Sequence, residues 1–68
     1  MRFSTDGRVT YDIGEKVYVK AAHNFYTVNG TETRRRWLVE LPGGERWIRN
    51  CDIDHERTAR AAFGGGNP

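Results

Sequence analysis

The sequence holds a single cysteine, Cys51. No internal disulfide can form, and a secreted disulfide scaffold is excluded. Long apolar runs are missing too. None approaches the roughly 20 residues needed to cross a bilayer. The opening Met1-Arg2-Phe3-Ser4-Thr5-Asp6 lacks the apolar stretch of a signal peptide. These absences lead us to expect an intracellular protein, cytoplasmic or nuclear, or a domain of a larger intracellular one, with no membrane partner. Length is also short. Sixty-eight residues make one domain at most, and a chain of this size buries only about 60% of the surface its unfolded form exposes. So small an interior favours a binding module over an enzyme.

Chemically active side chains are scarce. His23, Cys51 and His55 are the only soft metal ligands, and none stands at a paired ligand spacing. Asp52, Asp54, His55 and Glu56 read as a solvated acidic turn, so no metal and no other cofactor is expected. Cys51 could be drawn as a nucleophile beside His23 or His55, but no third group orients the pair, and no catalytic residue is assigned. Net charge is small: 11 Lys and Arg face 9 Asp and Glu, giving +2. That is far less than a protein needs to coat nucleic acid by charge alone, so the distribution of charge matters more than its sum. Arg34, Arg35 and Arg36 form the one dense cluster, with Arg46, Arg49, Arg57 and Arg60 downstream, partly cancelled by Asp52, Asp54 and Glu56.

What the sequence does have is turn signals separating short stretches rich in Val, Tyr, Thr, Trp and Ile. Asp6-Gly7, Ile13-Gly14, Asn29-Gly30 and Pro42-Gly43-Gly44 punctuate it, and Gly64 through Pro68 close it. Many short strands in so few residues predict a small barrel. Lys16 through Ala21 alternates cleanly: Val17, Val19 and Ala21 share one face, Lys16, Tyr18 and Lys20 the other. Phe25 through Val28 is a second strand, and Asn29-Gly30 after it has the residues of a type I′ hairpin. Thr31 through Leu41 reads as a long third strand. Trp37, Val39 and Leu41 lie on one side of it and Arg34, Arg36, Leu38 and Glu40 on the other.

Glu45 through Asn50 is the fourth strand, and the loop before it decides which tryptophan is buried. A two-residue Gly43-Gly44 turn sets Val39 opposite Ile48 and sends Trp47 outward with Arg49, near Arg36 and Leu38. A three-residue bulged loop would set Val39 opposite Trp47 and bury it. The first is preferred, because Gly-Gly fits the tight turn directly. Cys51-Asp52-Ile53 reads as a closing turn with Ile53 as a core plug. A short helix follows to Phe63, capped by Asp54, supported by Glu56 and Arg60 at i, i+4, and ended by Gly64. The expected organisation is an N-terminal segment over 1–12 that adds a strand or hairpin, a barrel over 13–54, a helix over 55–63 and a flexible tail over 64–68.

The order of Gly14-Glu15-Lys16-Val17-Tyr18-Val19-Lys20, then Trp37 through Arg49, then Asp52-Ile53 resembles SH3-like small barrels. It is similar in particular to Tudor-type domains and to the C-terminal barrel of retroelement integrases. The likeness covers residues 13 to 54. It implies an all-β, antiparallel SH3-like barrel of about five short strands. This architecture serves many unrelated partners. The strand after Tyr26 is less regular than in those families, and the first twelve residues have no counterpart there.

The residues offer two binding surfaces. Guanidinium groups pair bidentately with phosphate and stack on bases, and an exposed Trp47 would add a stacking platform for single strands. Lys16, Tyr18, Lys20, Arg34, Arg35, Arg36, Trp47 and Arg49 are therefore the candidate contacts to a nucleic acid, DNA or RNA. Exposed strand faces also carry Lys and Arg simply to prevent edge aggregation. The alternative follows from the resemblance. Tudor-type barrels hold a methylated lysine or arginine among aromatic faces by cation–π attraction, and Tyr18, Phe25, Tyr26 and Trp47 could wall such a cage, with Glu45 or Asp52 as charge partner. An adaptor barrel joining protein subunits is the remaining reading.

Overall fold

A computed structural model describes residues 1–63 of the chain; the Gly64 helix stop and the 64–68 tail expected above lie outside the described residues. Its strands are β1 (Arg2–Phe3), β2 (Val9–Thr10), β3 (Lys16–Val19), β4 (Asn24–Val28), β5 (Arg36–Leu41), β6 (Gly44–Arg49) and β7 (Ile53–Asp54), followed by helix α1 (His55–Ala62). β1 and β2 pair with each other as a hairpin, and the other five form one antiparallel sheet in the order β6-β5-β4-β3-β7. A four-strand meander whose closing strand returns to the first is the connectivity of a small SH3-like barrel. The sheet curls into a half-barrel, and α1 packs against β3.

The alternation legible in the sequence fills the concave side. Val17, Val19, Val28, Trp37, Val39 and Ile53 are buried there, and Leu41 and Ile48 pack against them from the rim. Ile53 follows a 3-10 turn over Asn50–Asp52 and plugs the core. Asp54 caps α1, its Oδ1 accepting from the Arg57 amide at 2.9 Å. Glu56 and Arg60 meet at 3.6 Å one turn apart.

Three local expectations are corrected. β3 ends at Val19, and Ala21 lies exposed in the turn to β4 rather than in the core. Asn29-Gly30 is not a hairpin turn. Asn29 extends the β4–β5 pairing, its amide donating to Leu38 O at 2.7 Å, and the chain reverses later, at Thr33–Arg36. The glycine serves a close approach instead: a Cβ on Gly30 would stand 2.9 Å from the Leu38 Cβ. The third strand is correspondingly shorter, starting at Arg36. Finally, the β5–β6 turn is Pro42-Gly43, with Leu41 opposite Gly44 and Trp37 opposite Ile48. Proline presets the first turn position, and Gly43, at φ +94°, takes the positive angle at the second, the residue pattern of a type II turn. This register differs by two positions from the Gly43-Gly44 reading, so every side chain keeps its face and Trp47 points outward.

The N-terminal segment contributes a core residue that periodicity did not reveal. Tyr11 is buried, meets Trp37 edge-on at 5.3 Å and stacks on His55 at 5.7 Å between ring centroids. Its hydroxyl and His55 Nδ1 are 2.5 Å apart. Trp37 Nε1 donates to Asn50 Oδ1 at 3.2 Å. Three rings thus link the segment before β3, strand β5 and the start of α1. Burial pushes the Tyr11 hydroxyl up to about 12 and holds the His55 imidazole below its ordinary value. Among the described residues His55 Nε2 is enclosed without a hydrogen-bond partner, and burial outweighs the Asn50 backbone contact that favours the charged ring.

An imidazole that resists protonation when folded leaves the unfolded chain with more bound protons in mild acid, so stability falls as pH drops through the ordinary histidine range. Lowering pH from about 7.5 to about 5.5, which brackets that range, is expected to reduce the melting temperature followed by circular dichroism. His55→Gln is expected to flatten the dependence. An equally steep loss in that variant would assign the effect to other groups.

Candidate nucleic-acid interface

The two strands that bury Trp37 present its neighbours outward. On the convex face of β5 and β6, cross-strand pairing sets Arg36 beside Arg49, Leu38 beside Trp47, and Glu40 beside Glu45. Trp47 retains 48% of its exposure, and its cross-strand neighbour Leu38 is partly buried. The face therefore runs from a cationic row, through an aromatic row, to an anionic one.

The cationic end is extended by the turn that opens β5. Thr33 and Arg36 exchange both backbone hydrogen bonds, at 2.9 and 3.0 Å. Between them Arg34 and Arg35 take φ of 53° and 61°. Two successive left-handed residues are the signature of a type I′ turn, which ordinarily uses Asn-Gly because there Cβ crowds the carbonyl oxygen, a contact that Gly lacks and Asn offsets by local hydrogen bonding. Arginines occupying both positions project from the tip of the hairpin. Thr33, Arg34, Arg36 and Trp47 line one shallow groove.

The charge of these arginines is not spent within the protein. Arg2, Arg8, Arg57 and Arg60 each pair with a carboxylate, and Arg49 is held by Asp52 through Nε at 2.8 Å. That carboxylate keeps Arg49 still more firmly protonated but also offsets its charge. Among the described residues no carboxylate lies within 4.0 Å of Arg34, Arg35 or Arg36.

The remaining sequence candidates sit elsewhere. Tyr18 faces outward on β3, but Phe25 meets it edge-on at 5.2 Å and the Arg57 guanidinium covers its ring at 4.4 Å. Lys20 Nζ donates to Cys51 O at 3.1 Å. Lys16 borders an apolar groove between α1 and the sheet, shared with Met1, Tyr11, Phe25 and Thr58. Trp47 and Tyr18 are three strands apart, about 14 Å at the usual interstrand spacing. The structure thus brings Arg34, Arg36 and Trp47 together and leaves Lys16, Tyr18 and Lys20 as a separate locus.

The four rings considered for a cage do not converge. Tyr18 and Phe25 touch, but Tyr26 pairs with buried Val17 and so occupies the opposite face. Trp47 stands on the far edge strand. The acidic turn is likewise dispersed: Asp52 goes to Arg49, Asp54 to the helix cap, Glu56 to Arg60 and His55 to Tyr11.

Residue-by-residue reading of the sequence missed Asn29. Its Nδ2 donates to Glu40 Oε1 and Glu45 Oε2, both at 3.0 Å, and so bridges two like charges that would repel when directly opposed. Only the tertiary course of the Asn29–Arg36 connection brings it there. Set against models of known families, curated proteins and solved structures, the chain matches none.

Two substitutions test this geometry. Replacing Arg34 and Arg35 by Asn and Gly relieves both left-handed arginines and is expected to raise unfolding stability by about 1–2 kcal/mol in urea denaturation. Gly30→Ala forces Leu38 aside and is expected to destabilise by about 1 kcal/mol or more. A neutral result for either would contradict the turn described.

Proposed function

We propose that the protein binds single-stranded nucleic acid across β5, β6 and the Thr33–Arg36 turn, without catalysis. The observation that carries this reading is the half-exposed Trp47 sharing a groove with Arg34 and Arg36, which, like Arg35 beside them in the turn, have no carboxylate partner among the described residues. In this mechanism Arg34, Arg35 and Arg36 displace counterions condensed on the phosphates, and a base stacks on Trp47. Arg49 lends orientation more than charge, because Asp52 already holds it. Lys16 and Lys20 supply a weaker, more distant contact for a longer strand. The strand order supports placing the chain beside the Tudor-type and integrase-type barrels, and an intracellular setting accords with such a ligand.

The strained turn allows a test in which misfolding cannot imitate lost binding. Arg34→Asn with Arg35→Gly strengthens the fold while removing two cations. For a labelled single-stranded oligonucleotide, three phosphate contacts give a slope of log K against log salt of about −2, and losing two reduces it to about −0.7. Trp47→Ala is expected to weaken binding by about 1–3 kcal/mol, the usual worth of one stacked base, with little change in the salt slope. Fluorescence anisotropy at several salt concentrations measures both. Absence of binding at low salt, or binding indifferent to the turn variant, would remove the proposal. A response to methylated peptides instead would favour a reader of modified protein tails.

A further inference from the structure

The binding face has a direction, and from it we infer that Glu40 and Glu45 select bases carrying hydrogen-bond donors on their Watson–Crick edge, guanine above all; this rests on the nucleic-acid reading above. Cross-strand pairing sets Arg36 and Arg49 on one side of Trp47 and Glu40 and Glu45 on the other. Each row lies two residues from the ring, about 7 Å along the strands. A nucleotide has the same polarity. Its phosphate is anionic, its base is a flat ring system, and the edge of that base remote from the sugar carries donors and acceptors. With the phosphate at the arginines and the base over Trp47, that outer edge is directed toward the carboxylates.

The two glutamates are suited to reading it because they are held. Asn29 Nδ2 uses both its hydrogens on them, one on Glu40 Oε1 and one on Glu45 Oε2. Glu40 Oε2 and Glu45 Oε1 make no hydrogen bond among the described residues, so each side chain keeps an oxygen that can only accept. Guanine offers two adjacent donors, N1–H and the N2 amino group, which a carboxylate can accept side by side. Cytosine and adenine offer one amino group, and thymine or uracil offers N3–H flanked by carbonyl oxygens that the carboxylates repel. The same negative charge repels phosphate, which sets the direction of the strand and keeps the backbone at the arginine end. Discrimination here comes from refusing the wrong edge as much as from accepting the right one.

The test compares three labelled single strands: thymine only, the same strand with guanines interspersed, and that strand with inosine replacing guanine. Inosine keeps N1–H and the ring system and lacks only the N2 amine. Guanine is expected to bind roughly five- to tenfold more tightly than thymine, the lower end of what a bidentate base contact discriminates, with inosine between them. Glu40→Gln with Glu45→Gln is expected to collapse this order and to tighten binding of the thymine strand, since two repelling charges are gone. Equal affinity for all three strands in the unaltered protein, or a guanine preference that survives the double variant, would overturn the inference yet leave the nucleic-acid reading standing. Failure of every strand to bind would overturn both.

Discussion

The antiparallel pairing of β5 with β6 is the constraint on which the rest of the molecule depends. A strand shows alternate residues to opposite faces, so one register assigns every side chain of the hairpin at once. Trp37 and Ile48 go inward, and Leu38, Trp47 and the two charged rows go outward. The same pairing that completes the core therefore builds the outer platform, and neither can shift without the other.

Trp37 shows how the interior of so short a chain is completed. The Tyr11, Trp37 and His55 rings pack together from three separate parts of the sequence. The Met1 ammonium pairs with Glu15, which ties the first residue to the start of β3. The N-terminal segment is thus structural material for the barrel. The cost is a buried imidazole nitrogen without a hydrogen-bond partner among the described residues, tolerable while His55 stays neutral.

The outer face departs from what stability alone would choose. Arginines in two left-handed positions, an exposed indole and opposed glutamates are each unfavourable for an isolated domain. They occur together on one surface, arranged cation, ring, anion. Local rules broken together in one place accord with the binding face proposed above.

Much of this was legible in the residues. Alternation placed Val17, Val19, Trp37 and Val39 inside, turn chemistry separated the strands, and the parity of a two-residue hairpin sent Trp47 outward although the turn proved to be Pro42-Gly43. Asp54 as a cap and Ile53 as a plug followed from local pattern alone. The burial of Tyr11 was not legible, because it lies outside any strand and is held by partners distant in sequence. The role of Gly30 was hidden too: a glycine needed for contact with Leu38 looks the same in sequence as one needed for a positive φ. Short-range patterning determined which side chains face in or out. Only the folded chain decided which outward groups meet, because the course of the Asn29–Arg36 connection set the arginines beside Trp47 and left Tyr18 to α1.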